Sequence, residues 1–512
     1  MTPKWQTRDL KTLLQPFGIE APSIDIVDLA IDSREVGIHK AFVAVNGHRQ
    51  DGREFIPQAV SLGAKVIIAE TEDESEHGDT EMREHSIIIK FYDLFHRLSE
   101  LSEAFYGEPS QSMKTIAVTG TNGKTSTAHF AAQLGQLLHK KAALIGTLGA
   151  GFLGDLQETI NTTPVAVTMH RILAELSAEG ADVVAFEASS HAMVQSRIKH
   201  LHTDVAIFTN LSRDHLDYHG DMEEYAKAKR MLLKQPGLKH MILNAGDAEH
   251  KNWLAMMPEG VTPVFFGVEI ATPEQGLFCI AREVRYSNRG ISFILHTSWG
   301  EVPVTTSLLG EFNVANLIGA VAAYLCLGAE LSELEKCLGQ IQPVPGRMEL
   351  FRSEKNHLTG SGKPSATFVV DYAHTPDALE QVLASLKIHM KGKLWCLFGC
   401  GGERDQGKRP LMGKAAEQGA DAIILTSDNS RSENTQDIIQ DILSGMDRPD
   451  SEHILIVPDR KEAIKTALRK ATPDDLVLLA GKGHETYQII NGQTLPYDER
   501  NYLNTLLQGE ER

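Results

Sequence analysis

The segment Lys114-Thr-Ile-Ala-Val-Thr-Gly-Thr-Asn-Gly-Lys-Thr-Ser126 has the pattern of an apolar strand that ends in a glycine turn and runs into a helix. Residues 115–119 read as the strand. Lys124-Thr125 open a helix of good formers, Ala128, Ala131, Ala132, Leu134, Leu137 and Leu138. Glycines at such a turn let backbone N–H groups close around phosphate oxygens, and the helix N-terminus adds partial positive charge. Lys124 is expected to reach the β- and γ-phosphates, and the Thr125 hydroxyl to ligate Mg²⁺. The usual spacing, G-x-x-x-x-G-K-[ST], puts a glycine where this chain has Val118, so Gly120-Thr-Asn-Gly-Lys-Thr-Ser126 is a variant phosphate loop. Its residues Gly120, Thr121, Asn122, Gly123, Lys124, Thr125 and Ser126 are the candidate ATP contacts. A bound Mg²⁺ also needs a carboxylate at a neighbouring strand end. Asp182-Val-Val-Ala-Phe-Glu187 supplies Glu187, followed by the polar residues Ser189, Ser190, His191, Gln195 and Arg197.

Outward from this loop the chain reads as α/β throughout, with short Val/Ile/Leu/Ala runs alternating with amphipathic helical stretches. Three blocks are predicted. Residues 1–109 hold strand-like 41–45 and 65–69, then a helical stretch, 92–106, leading to the linker Gly107-Glu-Pro-Ser110. Residues 110–344 hold further strands at 182–186, 204–208 and 240–243. Residues 273–306 alternate around turn signals such as Asn288-Arg-Gly290, which predicts a small antiparallel insertion. Gln342-Pro-Val-Pro-Gly-Arg347 breaks regular structure and marks a hinge. Residues 345–512 then run through strands at 367–371, 394–398, 422–426, 453–457 and 476–480. The expected architecture is a smaller N-terminal α/β domain, a central phosphate-loop domain with a mostly parallel sheet, and a C-terminal Rossmann-like, doubly wound domain.

Composition excludes several classes. Among 512 residues, 50 Lys+Arg face 68 Asp+Glu, a formal net charge of −18. Such a balance disfavours sequence-independent nucleic-acid binding and attachment to anionic lipid. With 42% hydrophobic and 23% charged residues the chain is globular and not disordered. No apolar run approaches the ~18 residues of a membrane span, and the N-terminus lacks an apolar signal core. A soluble, cytoplasmic protein is expected. Cys279, Cys326, Cys337, Cys396 and Cys400 are too few for a disulfide framework, and Cys396 and Cys400 lack the further ligands of a zinc site. All five are expected to be small buried apolar residues.

The phosphate loop resembles that of the Mur ligases, ATP-dependent amide-forming enzymes of peptidoglycan precursor synthesis; folylpolyglutamate synthases carry similar loops. Asn161-Thr-Thr-Pro164, Glu187-Ala-Ser-Ser-His-Ala-Met-Val-Gln-Ser-Arg197, Thr209-Asn-Leu-Ser-Arg-Asp-His-Leu-Asp-Tyr-His-Gly220, Asp371-Tyr-Ala-His-Thr-Pro-Asp377, Gly399-Cys-Gly-Gly-Glu-Arg-Asp-Gln-Gly-Lys-Arg-Pro410 and Gly481-Lys-Gly-His-Glu485 together are similar to the MurE type of that family. Asp32-Ser-Arg34 and Gly47-His-Arg-Gln-Asp-Gly52 fit as well. The resemblance implies a three-substrate ligation. The γ-phosphate of ATP, the co-substrate, goes to the free D-Glu carboxylate of UDP-N-acetylmuramoyl-L-Ala-D-Glu. The amine of a diamino acid then displaces phosphate from the acyl phosphate. The three blocks would bind the UDP-sugar, ATP and the amino acid respectively, closing around the reactants as domains, in a monomer.

By the same resemblance Lys124, Glu187, His215 and Lys229 are the catalytic set, and Thr125, Glu187, His215 and carbamylated Lys229 the metal-binding set. Lys227 competes with Lys229 on spacing alone; the family's Tyr-x-x-Ala-Lys pattern picks Lys229. Asp221 and Glu224 are expected to form a capping box at the start of this helix. The UDP-sugar positions are Ile31, Ser33, His48, Arg49, Gln50, Asn161, Thr162, Thr163, Ser189, Gln195 and Arg197. Asn313 and Asn316 correspond to adenine-side residues, and Arg347 and Asp371 to phosphate and ribose contacts. The amino-acid set is Arg404, Asp428, Asn429, Ser430, Arg431, Gly481 and Glu485, with Glu485 holding the distal ammonium. Members adding meso-diaminopimelate carry Asp-Asn-Pro-Arg; this chain has Asp428-Asn-Ser-Arg431. Arg431 supplies the guanidinium that a second substrate carboxylate requires, so meso-diaminopimelate is expected. Serine in place of proline frees φ and is expected to loosen the loop. The alternatives are the same ligation with L-lysine, a P-loop ATPase switch, and a folylpolyglutamate-type ligase. The switch would leave Arg404, Arg431 and Glu485 without a role, and the last would not need the first domain.

Overall fold

A computed structural model of the chain describes residues 7–47, 50–354 and 364–509. The chain forms two compact units, Met1–Ile280 with Thr297–Trp299 and Asn316–Leu334, and Ala281–His296 with Gly300–Ala315 and Glu335–Arg512.

The first unit contains a two-stranded pair, Arg8–Asp9 with Asp25–Ile26, and strands of two larger sheets. The smaller of these two sheets runs in the order Asp28–Ala30, Lys40–Ala44, Val66–Thr71, Ser86–Tyr92 and Thr80–Arg83, with only the last pair antiparallel. Helix Leu94–Tyr106 covers it with Leu94, Leu98, Leu101 and Phe105, one helical face at i, i+4, i+7 and i+11 spacing. Two of these strands were legible at 41–45 and 65–69; Asp28–Ala30 and Thr80–Arg83 are short border strands, and the seven-residue inner strand Ser86–Tyr92 was missed.

The larger sheet centres on Lys114–Thr119. Val183–Glu187 and Val205–Phe208 flank it in parallel. Ala142–Gly146 lies beyond the former, and His240–Asn244 and Thr262–Val268 beyond the latter, all parallel. Gly149–Phe152 and Asp155–Gln157 add an antiparallel border. Helices cover both faces, so Ile116, Ala117 and Val118 are all fully buried and the strand reads as an unbroken apolar run. Parallel pairing has a functional consequence: the C-terminal ends of three adjacent strands bring Gly120, Ala188 and Thr209 to one edge.

Strands Leu277–Ser287, Gly290–Thr297 and Gly300–Thr306 follow one another through two-residue turns, which only antiparallel pairing allows. Their burial alternates residue by residue, as the 273–306 pattern predicts.

In the second unit the sheet order is Glu349–Phe351, Thr367–Asp371, Leu476–Ala480, Leu394–Phe398, Ala422–Leu425 and Ile454–Ile456. Five strands are parallel and Glu349–Phe351 is an antiparallel edge that three residues were too few to announce. Residues alternate between two cores. Val369, Cys396, Phe398, Leu425 and Leu478 face helices Pro376–Lys387, Lys408–Gly419 and Thr435–Leu443. Val370, Leu397, Ile424 and Leu479 face Arg460–Lys470 and Glu499–Gln508. All five cysteines are free; four are buried as expected, whereas Cys326 is only partly so.

Candidate active site

Gly120 has φ of 149°, and a Cβ there would lie 1.9 Å from Thr209 Oγ1, so only glycine lets the loop pass the neighbouring strand end. Thr209 Oγ1 donates to the Asn122 carbonyl at 2.6 Å, and Asn210 Oδ1 accepts from the Asn122 N–H at 2.9 Å. Asn316 lies over Gly123, its Oδ1 2.4 Å from where a Cβ would stand. The loop is thus shaped by its neighbours, and helix Lys124–Leu137 starts at its end.

Two lysines converge on this loop. Lys124 Nζ donates to the carbonyls of Gly120 and Thr121, both at 2.8 Å. Lys229 Nζ donates to the same Gly120 carbonyl at 2.7 Å. Lys229 is buried in helix Met222–Arg230, with its Nζ 4.4 Å from the Tyr225 ring centroid. Burial, then the nearby Lys124 charge, hold its ammonium well below the ordinary lysine range. Lys227, two positions away, is exposed and pairs with Glu224 at 2.7 Å. The two candidates that spacing left open therefore occupy different environments. The capping box is half formed: Asp221 accepts from the Glu224 N–H at 2.9 Å, but the Glu224 carboxylate turns to Lys227.

Glu187 is buried at the end of its strand. Its Oε2 accepts from Thr125 Oγ1 at 3.0 Å, and its Oε1 from the Thr147 N–H at 2.7 Å. Burial raises its pKa, opposed chiefly by Lys124. Thr147 also touches Thr162, hydroxyl to hydroxyl at 3.1 Å. It is a residue that sequence reasoning missed, since a lone threonine after a strand carries no signal.

The UDP-sugar candidates of the central block form a connected set. Thr163 Oγ1 donates to the Glu187 carbonyl at 2.7 Å and meets Ser189 Oγ at 3.1 Å. Arg197 donates to the Thr163 carbonyl at 2.7 Å and to Gln195 Oε1 at 2.6 Å, while Gln195 donates to Tyr218 at 3.2 Å. Asn161 is the exception among these described contacts: its carbonyl accepts from Thr159 Oγ1 at 3.2 Å, and Thr159 also reaches the Gly146 carbonyl at 3.3 Å. In the N-terminal block Ser33 is buried and donates to Gln58 at 2.9 Å. Ile31 is partly buried beside its core, and Gln50 is exposed. His48 and Arg49 lie outside the described residues.

His215 sits in the left-handed region at φ 53°, beside Asp214. Its ring lies 4.9 Å from His191 and 6.2 Å from Tyr225, the ring that Lys229 Nζ also approaches. Burial, helped by the neighbouring histidines, lowers His191 to about 4. Among the described residues no three His, Cys, Asp or Glu side chains group as a metal site. The expected set contains only two such residues, Glu187 and His215, and depends on modification of Lys229.

In the second unit Asp371 is buried and accepts the Met348 and Ala373 N–H groups, both at 2.8 Å. Burial raises its pKa, and Arg347 opposes this. Arg347 lies over the Tyr372 ring at 4.9 Å. Asn313 is buried and donates to the Leu309 carbonyl at 2.9 Å.

The amino-acid candidates follow the ends of three strands: Arg404 after Leu394–Phe398, residues 428–431 after Ala422–Leu425, and Gly481 and Glu485 after Leu476–Ala480. Asn429 Nδ2 donates to Glu485 Oε2 at 3.0 Å. Arg431 donates to the Gly402 carbonyl at 2.7 Å. Gly481 leaves room for Asp428, whose Oδ2 would be 2.8 Å from a Cβ. Arg404 is exposed in the loop before helix Lys408–Gly419. At Ser430 the loop has a backbone hydrogen bond that the family's proline would not make. The Ser430 N–H donates to the Asp428 carbonyl at 3.1 Å, and the Arg431 N–H donates to Ile489 at 3.0 Å. Lys482, assigned no role by sequence, is fully buried and donates to Glu485 Oε2 at 2.7 Å.

Family models match the chain in order: "Mur ligase family, catalytic domain" over 25–106, "Mur ligase middle domain" over 118–324 and "Mur ligase, glutamate ligase domain" over 346–483. A solved UDP-N-acetylmuramoyl-L-alanyl-D-glutamate–2,6-diaminopimelate ligase is 34% identical, with a TM-score of 0.72, covering 99% of this chain and 100% of that one. Two further structures share the fold. A UDP-N-acetylmuramoylalanyl-D-glutamyl-2,6-diaminopimelate–D-alanyl-D-alanyl ligase from Acinetobacter baumannii is 20% identical, with a TM-score of 0.65, covering 94% of this chain and 97% of that one. A Mycobacterium tuberculosis folylpolyglutamate synthase is 16% identical, with a TM-score of 0.58, covering 75% of this chain and 92% of that one. With three domain models in sequence and a relative matched along its whole length, the chain belongs to the Mur ligase family.

Proposed function

We propose that the protein is an ATP-dependent ligase of peptidoglycan precursor synthesis. It joins meso-diaminopimelate to the D-Glu carboxylate of UDP-N-acetylmuramoyl-L-Ala-D-Glu. The observation that carries this reading is the convergence of Lys124 and buried Lys229 on the Gly120 carbonyl, beside the Thr125–Glu187 contact. Phosphoryl transfer to a carboxylate brings two anions together, so the site must supply fixed positive charge. Lys124 does so at the phosphates. Thr125 and Glu187 offer two hard oxygens side by side, a fit for Mg²⁺, which when bound neutralises phosphate charge. Lys229, held below the ordinary lysine range, is suited to react as a free amine with CO₂, giving a carbamate and releasing one proton. We assign His215 to the same region as a further metal ligand.

We assign residues 1–109 to the UDP-sugar, 110–344 to ATP and 345–512 to the amino acid. Thr163, Ser189, Gln195 and Arg197 orient the sugar-peptide through their shared network. Asn313, Asn316, Arg347 and Asp371 take the nucleotide. Arg431 takes the distal carboxylate of meso-diaminopimelate and Glu485 its ammonium, while Arg404, Asp428, Asn429, Ser430 and Gly481 complete the pocket. We take the enzyme to act as a monomer. No described helix is long and apolar enough to cross a membrane, and a cytoplasmic location fits enzymes using ATP and UDP-sugars.

The test is phosphate release with Mg-ATP and UDP-N-acetylmuramoyl-L-Ala-D-Glu, adding meso-diaminopimelate or L-lysine. Release only with meso-diaminopimelate, with product mass raised by that residue, is expected. Release only with L-lysine would overturn the amino-acid assignment, and release with neither amino acid nor sugar-peptide present would indicate an ATPase instead.

A further inference from the structure

Lys482 follows the Leu476–Ala480 strand, and its side chain is fully buried. An ammonium has three donors. Here they meet three acceptors: Asn429 Oδ1 at 3.1 Å, Glu485 Oε2 at 2.7 Å and the Tyr487 carbonyl at 2.6 Å. Asp428 Oδ1 stands 3.7 Å away. Its partners include both acids of the amino-acid pocket. Asn429 ties the arrangement together, accepting from Lys482 and from the Ile489 N–H while donating to Glu485. Lys482 is too enclosed to be a solvated surface charge. It is a counter-charge built beneath the pocket.

The charge count gives it a consequence. Asp428 and Glu485 carry two negative charges, and Lys482 cancels one. The remaining charge matches one substrate ammonium, Arg431 is left for the far carboxylate, and Arg404, exposed in its loop, is a further cation of the pocket. That arrangement suits a zwitterionic end. Without Lys482 a second negative charge is uncovered, which attracts a bare ammonium more strongly and repels a carboxylate. We propose that Lys482 is a specificity-determining residue, an internal counter-charge that makes the pocket select an amino acid whose far end is zwitterionic over one ending in an ammonium alone. This rests on the meso-diaminopimelate reading above.

The experiment compares kcat/KM for meso-diaminopimelate and for L-lysine, first in the wild-type enzyme. Wild-type preference for L-lysine would sink that underlying reading. Given a wild-type preference for meso-diaminopimelate, Lys482→Met and Lys482→Gln are expected to lower the ratio about tenfold or more. The KM for meso-diaminopimelate should rise while that for L-lysine falls, with the KM of ATP and of the sugar-peptide unchanged. Both amino-acid KM values rising together, the mark of a merely structural lysine, would overturn the proposal, as would an unchanged ratio. Glu485→Gln covers the case in which neither Lys482 variant folds. It leaves Lys482 less compensated, so L-lysine use should fall further than meso-diaminopimelate use, and equal losses would overturn the proposal.

Discussion

Two lysines two residues apart show what a residue's surroundings add to its name. Lys227 pairs with Glu224 at the surface, whereas Lys229 is buried against Tyr225 and the Gly120 carbonyl. Because the Lys229 pKa is lowered, its amine loses its proton more readily than an ordinary lysine, and the neutral form is the one that combines with CO₂. Carbamates decompose in acid. Wild-type enzyme exposed briefly to acid and returned to neutral pH is therefore expected to recover turnover faster with bicarbonate than without. Lys229→Ala should lose about 10²–10³-fold in kcat, the scale of losing one preorganised electrostatic group, and should ignore bicarbonate. Lys227→Ala should behave as wild type. A bicarbonate-indifferent wild type with an active Lys229→Ala variant would refute the carbamate role. Sequence spacing alone could not separate these lysines, since a solvated face and a buried one differ only through what packs against the helix. Glu187 was more legible, because it closes an apolar strand and is followed by the polar residues Ser189, Ser190, His191, Gln195 and Arg197, which a solvated strand-end acid would not need. Thr147 and Lys482 were not, because their significance lies in partners distant along the chain.

At the scale of elements, long apolar runs and glycine turns were readable, and the strands predicted at 367–371, 394–398 and 476–480 recur without change. Glu349–Phe351 and Asp28–Ala30 were not, because three residues show no period. Helix pairing was also invisible. Helices Leu94–Tyr106 and Ala166–Ala178 meet around His170, which is fully buried. Its Nε2 lies 3.1 Å from Ser99 Oγ, and its Nδ1 has no hydrogen-bond partner among the described residues. Burial lowers its pKa from 6.5 to about 3. The unfolded chain thus takes up a proton near pH 6.5 that the folded chain refuses. Stability from this group is complete above that pH and is lost as pH falls toward 3. The full shift corresponds to about 3–5 kcal/mol. Denaturant titrations between pH 7 and 4 should show stability falling less steeply in His170→Asn than in wild type. Parallel slopes would mean that the folded protein accommodates the charged imidazole.

The whole molecule is two compact units, each with its own buried cores, and its candidate ligands divide between them. The described UDP-sugar candidates, from Ile31 to Arg197, belong to the first unit, and Arg404 to Glu485 to the second. The second unit also contains an ion pair, Arg460–Glu499, with both side chains essentially inaccessible. Arg460 reaches the Ser427 carbonyl at 3.2 Å and the Ala480 carbonyl at 2.8 Å, the residues just before Asp428 and Gly481. Removing one member of such a pair leaves a buried charge unmatched and costs about 3–5 kcal/mol. A ligand at 100 times its Kd stabilises the unit that binds it by about 2.7 kcal/mol. Calorimetry is therefore expected to resolve two transitions. UDP-N-acetylmuramoyl-L-Ala-D-Glu should raise one and meso-diaminopimelate the other, and Glu499→Gln should lower only the transition that meso-diaminopimelate raises. If both ligands moved a single transition, folding would be cooperative across the two units. If meso-diaminopimelate moved the same transition as the sugar-peptide while Glu499→Gln moved the other, the amino-acid pocket would have been assigned to the wrong unit, because a ligand can stabilise only the structure that binds it.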